Sequence, residues 1–160
     1  MDYNREQALN YAHTWAFRRN PSFADFEEMG GDCTNFVSQC LLAGGASQIY
    51  SPLYGWYFRN LYDRAPAWSG VDAFYRFIKQ ERKTGPYVIE CKPEEVIPGD
   101  IVQFATAGSR FHHAAIIVDI TGKPITTSNI KIACHSFDSD YRPLSTYNIR
   151  MIRYLHIVSV

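Results

Sequence analysis

The sequence predicts an α+β fold in which N-terminal helices pack on a C-terminal antiparallel β-sheet. Apolar residues recur at helical spacing in the first half of the chain, and β-branched runs between Gly and Pro turns fill the second half. The chain has 160 residues, of which 46% are hydrophobic, so it is long enough to bury a core. We therefore treat residues 1–160 as one domain.

Three helices are predicted from capping residues and apolar spacing. Asn4 can cap the first helix, which ends by Asn20-Pro21 because proline disfavours helical geometry in the residue before it. The second helix begins at or next to Cys33 and ends at Gly44-Gly45. The third follows Ser69, a candidate N-cap.

Five strands are predicted in the second half of the chain, where valine, isoleucine and tyrosine are frequent. Turns at Pro98-Gly99-Asp100 and Gly122-Lys123-Pro124 separate some of them. The predicted strands are residues 87–89, 101–104, 114–120, 130–135 and 148–158.

Charge and hydropathy argue against several classes of protein. Sixteen basic residues balance sixteen acidic ones, which leaves no general basic surface for nucleic acid. No apolar run approaches the ~18 residues of a membrane helix. Charged residues in the first twenty positions leave no visible signal peptide. The compartment stays open: the cytoplasm, or the cell exterior or wall if a leader or a larger parent protein was removed.

Cys33 is the strongest candidate for a nucleophile. Gly30-Gly31 precede it and allow an unusual, tight backbone path into a helix. A cysteine at a helix N-terminus faces unpaired amides and the positive end of the helix dipole. We therefore expect a lowered thiol pKa and amides able to hold an oxyanion. Cys40, Cys91 and Cys134 lack this context.

A cysteine nucleophile requires a base, and His112 and His113 precede an apolar strand. Neighbouring strand residues point to opposite faces, so only one of the two can meet Cys33. The residues alone hardly rank them. His135 ends the following apolar run and is the first candidate to orient the base. Its rivals are Asp138, Asp140 and Asn148.

Four aromatic residues precede the third predicted helix and have two interpretations. They could form a platform for sugar or peptide, or they could cover the core between helices. We favour the core, since buried aromatic residues are common. They are Tyr54, Trp56, Tyr57 and Trp68.

Three segments resemble the NlpC/P60 and CHAP superfamily of papain-like hydrolases. Asp32-Cys33-Thr34-Asn35 is similar to the start of its catalytic helix, and residues 98–104 are similar to its Pro-Gly-Asp strand. His113-Ala114-Ala115-Ile116 is similar to its histidine strand, and that register makes His113 the base. Residues 30–39, Gly-Gly-Asp-Cys-Thr-Asn-Phe-Val-Ser-Gln, are similar to the putative amidase domains within it.

The resemblance implies a papain-like, NlpC/P60-like fold and hydrolysis of an amide bond, often in the peptides of peptidoglycan. It implies Cys33 as nucleophile, His113 as general base and His135 as the third catalytic residue. Asp32 and Thr34 are expected at the oxyanion or substrate site. No metal or organic cofactor is implied.

Three alternative interpretations stay open. The same fold could serve as a non-catalytic binding module. It could also be an acyltransferase or transpeptidase, in which an amine replaces water at the thioester. A zinc site would use ligands of the kind found at Cys33, His113, Cys134 and His135.

Overall fold

The four α-helices lie in the first half of the chain and the six strands of the large sheet lie in the second half. A computed structural model describes residues 2–160 and confirms the predicted α+β class with an antiparallel sheet. The helices are α1 (Arg5–Trp15), α2 (Cys33–Ala43), α3 (Pro66–Ser69) and α4 (Val71–Ile78). Within the described residues, no helix has both the length and the apolar character needed to cross a bilayer.

The strands form one small hairpin and one large antiparallel sheet. The hairpin pairs β1 (Phe58–Asn60) with β2 (Asp63–Arg64). The large sheet has the order β3-β8-β4-β5-β6-β7. Its strands are β3 (Tyr87–Cys91), β4 (Ile101–Ala105), β5 (His113–Ile120), β6 (Ile130–Cys134), β7 (Ser139–Pro143) and β8 (Met151–Ser159).

All three predicted helices are present where expected, and only the predicted cap of the third is wrong. The Asn4 side chain accepts a hydrogen bond from the Gln7 N–H at 3.0 Å, as expected of an N-cap. Ser69 does not cap α4, which begins at Val71 after Gly70. The extra short helix α3 includes Ser69, whose hydroxyl accepts a hydrogen bond from Arg64 Nε at 3.0 Å.

Alternation along β5 divides the core between two faces of the sheet. Ala114, Ile116 and Val118 belong to the apolar cluster that contains α1, α2 and α4. Ala115 and Ile117 belong to a second cluster with residues of β4 and β6. This period of two fixes α2 against one face of β5.

The Pro-Gly-Asp turn ties α1 to the sheet. Asp100 is fully buried, and its carboxylate accepts hydrogen bonds from the N–H groups of Ile97 and Ile157 at 2.9 and 3.0 Å. The Arg5 guanidinium lies 2.8 Å from the same carboxylate. Buried charges require such partners, so Asp100 stabilises the start of β4.

The strand β7 was absent from the sequence-based prediction. Its residues, Ser-Asp-Tyr-Arg-Pro, are mostly polar and lack strand alternation. It forms because it pairs with β6 at the edge of the sheet, where polar residues and proline are tolerated.

The prediction of a core position is confirmed for three of the four aromatic residues. Trp56 and Trp68 are fully buried and Tyr57 nearly so, whereas Tyr54 is exposed. Trp56 Nε1 donates to Ser38 Oγ at 2.9 Å, and Trp68 Nε1 donates to Asn35 Oδ1 at 2.8 Å. Two polar residues of α2, Asn35 and Ser38, therefore have buried tryptophan partners.

Candidate active site

A cavity of about 400 Å³ lies where the N-terminus of α2 meets the start of β5. Its volume falls in the lower part of the range for small-molecule sites. Its wall contains both Cys33 and His113, and no acidic residue. The lining residues are Gly30, Gly31, Cys33, Phe104, Thr106, His112, His113, Ser136, Phe137, Arg142 and Tyr147.

The Gly30-Gly31 pair forms part of this wall in a conformation that favours glycine. Their φ angles are +98° and +108°. A Cβ on Gly31 would lie 3.3 Å from Ser136 Oγ, closer than most such contacts. The expected tight backbone path into α2 is therefore present.

Cys33 is the first residue of α2, and its thiol is almost fully buried in the cavity wall. Sγ lies 4.0 Å from the His112 carbonyl oxygen and 4.0 Å from Thr34 Oγ1. Burial raises the pKa of the thiol, and this effect outweighs the N–H groups of Ala114 and Thr34, which favour the thiolate. The expected lowered pKa is therefore wrong for the resting structure.

His113 begins β5, directly opposite Phe104, and is 8% exposed. Its ring lies 4.9 Å from the Phe104 ring and 5.9 Å from the Tyr147 ring, measured between centroids. Nε2 is buried and has no hydrogen-bond partner among residues 2–160. Burial lowers the pKa of His113 to about 4, and the charges of His112 and Arg142 add to this. The ring is therefore neutral at pH 7.

His112 is exposed, and one of its ring nitrogens is already engaged. The Thr106 N–H donates to His112 Nε2 at 3.0 Å. The two histidines therefore differ: Nε2 of His113 is buried and has no partner among residues 2–160, whereas Nε2 of His112 accepts a hydrogen bond.

His135 does not orient His113, contrary to expectation. Its Nδ1 lies against the carboxylate of Asp32, and its Nε2 donates to the Trp15 carbonyl oxygen at 2.7 Å. Since Ile116 pairs with Ala133, the same register places His135 beside Ala114 on the face of α2. Its ring accordingly packs on Phe36 of α2, 4.1 Å between centroids.

The three rivals to His135 are also engaged elsewhere or lie on the surface. Asp138 pairs with Arg19 at 2.8 Å, and Asp140 pairs with His13 at 2.8 Å. Asn148 is exposed. In the part of the chain that the structure describes, none of these side chains hydrogen-bonds to His113.

Asp32 and Thr34 lie behind the cavity wall, where substrate cannot reach them. Both are fully buried, and neither lines the cavity. Asp32 Oδ1 accepts from the Phe26 N–H at 2.7 Å and from Asn35 Nδ2 at 2.8 Å. Because neither side chain reaches the cavity, the structure does not support the expected oxyanion or substrate role for them.

One wall of the cavity, formed by β7 and the turn before it, was not predicted from the sequence. Ser136 and Phe137 have φ angles of 63° and 61°, and Ser136 Oγ accepts a hydrogen bond from the Asp32 N–H at 3.1 Å. Arg142 and Tyr147 complete this wall. Recognition of β7 as a strand would have revealed the tight hairpin that places these residues beside Cys33.

Residues 2–160 contain no cluster of side chains that would support the zinc interpretation. No three His, Cys, Asp or Glu side chains there are grouped so as to hold a metal ion. Cys134 is buried, with its Sγ 3.5 Å from the Tyr147 hydroxyl.

Comparison with known sequences gives the family of the chain. The sequence profile of a family described as "Putative amidase domain" matches residues 2–158. The chain belongs to this putative amidase domain family. Its name indicates an enzyme that hydrolyses amide bonds.

One curated relative of this putative amidase domain is "Uncharacterized protein YhbB" of Bacillus subtilis (strain 168). The two are 32% identical over 122 residues, which is 74% of this chain and 38% of the relative. The chain thus spans less than two fifths of the relative's length. No solved structure matches significantly.

Proposed function

We propose that this putative amidase domain is a cysteine amidohydrolase with the papain-like architecture of the NlpC/P60 and CHAP superfamily. One observation carries the proposal: the buried Cys33 thiol and the unpaired, buried Nε2 of His113 share one cavity wall. A buried nitrogen without a partner is uncommon and requires an explanation. Nε2 would have a reason to lack a partner if it accepts a proton from the Cys33 thiol during the reaction.

The resting pair is neutral, since burial raises the pKa of Cys33 and lowers that of His113. The thiol proton therefore passes to His113 Nε2 as Sγ attacks the amide carbon. The C–S bond forms and the carbonyl oxygen becomes an oxyanion. The first N–H groups of a helix have no partner within the helix, and in this proposal those at the start of α2 donate to the oxyanion.

The second half of the reaction returns both residues to their starting state. The His113 imidazolium gives its proton to the amide nitrogen, the C–N bond breaks and an amine leaves. Water then attacks the thioester while His113 accepts its proton. The C–S bond breaks, a carboxylic acid leaves and the sulfur recovers its proton.

Packing orients the base in this proposal. Phe104 and Tyr147 both pack against the His113 ring and against each other, and His135 is bonded to other groups. The proposed catalytic unit is therefore a Cys-His pair in which the imidazole packs on Phe104 and Tyr147, in contrast to the triad that the resemblance implied. His135 acts through Asp32, which precedes the nucleophile.

We propose peptides derived from peptidoglycan as the substrate, in line with the resemblance to cell-wall hydrolases. The test is turnover of defined peptidoglycan fragments by wild type and by Cys33→Ala. Cys91→Ala is the matched control, because Cys91 is a free thiol that does not line the cavity. We expect activity in wild type and in the control and none in Cys33→Ala.

Full activity of a folded Cys33→Ala variant would contradict the proposal. Product analysis with an added amine distinguishes hydrolysis from acyl transfer. A new amide product would indicate the acyltransferase interpretation, because the amine then replaces water at the thioester.

A further inference from the structure

Arg142 supplies a cationic group to the cavity wall without a carboxylate partner of its own. Its Nε donates to Thr146 Oγ1 at 2.7 Å, and the guanidinium lies 3.7 Å from the centroid of the Tyr147 ring. None of the ion pairs formed among residues 2–160 includes Arg142. The stacking and the hydrogen bond hold the guanidinium in place while its terminal NH₂ groups stay unpaired.

Three other arginines of the fold do have carboxylate partners. Arg5 pairs with Asp100, Arg19 pairs with Asp138, and Arg59 pairs with Asp63. Arg142 faces a cavity whose lining contains no Asp or Glu. This cavity wall therefore carries a positive group with no acidic side chain in the lining to pair with it.

An arginine held by stacking and one hydrogen bond is suited to bind a carboxylate through two parallel N–H···O bonds. The cavity also contains Cys33 and His113, so a bound carboxylate would lie close to the reacting amide. We propose that Arg142 binds a carboxylate on one of the two residues that flank the scissile amide. The inference rests on the proposed function, and it assigns acidic peptides as the substrate class.

The test uses pairs of peptides that differ only in a flanking Glu or Gln. Wild type should prefer the Glu peptide by about 10-fold or more in kcat/KM, the size expected of a charge-assisted hydrogen bond. In Arg142→Gln, this ratio should fall towards 1. Arg150→Gln, at an exposed position outside the cavity lining, should keep the wild-type ratio.

The preference should also weaken as salt is added, since an ionic contact is screened. An equal ratio for the two peptides in wild type, or an unchanged ratio in Arg142→Gln, would overturn the proposal. Equal loss on both peptides would also overturn it, because it would show a general role in structure or catalysis.

Arg142→Lys provides a second variant if Arg142→Gln does not fold. Lysine keeps the charge but loses the paired N–H groups, so we expect an intermediate ratio. A ratio equal to that of wild type would contradict binding through two N–H groups. The proposed function is tested separately with the Gln peptide: wild type should cleave it and Cys33→Ala should not. Failure of one proposal is thereby distinguished from failure of the other.

Discussion

The imidazole of His135 contacts the carboxylate of Asp32 in the interior, where the two side chains are 1% and 0% exposed. Asp32 immediately precedes α2, and His135 immediately follows β6. The pair therefore joins the start of the nucleophile helix to the sheet. In the proposed mechanism the pair acts indirectly, through the position of Cys33.

Loss of this buried pair should cost stability more than loss of a surface pair. We expect His135→Gln to lower the free energy of unfolding by about 3 kcal/mol, because it leaves a buried carboxylate short of a partner. His13→Gln is the matched control, since His13 pairs with Asp140 at a position that is 29% exposed. There we expect a loss of about 1 kcal/mol or less. Urea unfolding measures both, and equal losses would contradict the account.

The acid limb of activity should lie well below the usual pKa of histidine. His113 must be neutral to accept the thiol proton, and burial lowers its pKa to about 4. We therefore expect kcat/KM to stay constant from about pH 5.5 to 8 and to fall as the pH drops through about 4. Circular dichroism at each pH shows whether the protein is still folded.

His113→Gln provides the control for this profile. It removes the base, so we expect a loss of about 100-fold or more in kcat/KM on the plateau above pH 5.5, and no fall near pH 4 in the activity that remains. A wild-type profile with its midpoint near pH 6.5, or full activity in His113→Gln, would argue against a buried His113 as the base.

The buried His113 should also make stability fall in mild acid. The unfolded chain takes up the proton near pH 6.5, whereas the folded protein resists it until about pH 4. Because the unfolded state binds more protons between these values, stability decreases as the pH falls through that range. The shift corresponds to about 3 kcal/mol between pH 7 and 4. Urea unfolding should show a smaller decrease in His113→Gln, and equal decreases would refute this assignment.

Alkylation of Cys33 should be slow at neutral pH. Burial raises the pKa of this thiol above its usual value of 9.0, so the reactive thiolate is scarce at pH 7. We expect the rate of iodoacetamide labelling at Cys33, followed by peptide mass spectrometry, to increase steeply above pH 9. Cys40, which is fully buried, should label more slowly still. A labelling midpoint below pH 8 at Cys33 would instead indicate a preformed thiolate.

The features that could be predicted from the sequence are those that depend on residues close together in the chain. The Gly-Gly-Asp-Cys segment indicated both a tight turn and the start of α2, and each depends on nearby residues only. Apolar runs likewise indicated β4, β5 and β6 to within about two residues.

Features that depend on contacts between residues far apart in the chain could not be predicted from the sequence. The role of His135 follows from the pairing of β5 with β6, which places it beside Ala114. The thiol pKa of Cys33 depends on burial, which exceeds the local effect of the helix start. Arg142 reaches the cavity because the polar strand β7 pairs with β6, and no periodicity indicates that strand.

The measurement that tests the central claim most directly is the mass of the enzyme during turnover. Rapid acid quenching with an activated ester or a slow amide substrate should trap an acyl group on the peptide that contains Cys33. The adduct should be absent from Cys33→Ala and present in Cys91→Ala. An adduct on another residue, or turnover by Cys33→Ala at the wild-type rate, would contradict a thioester at Cys33.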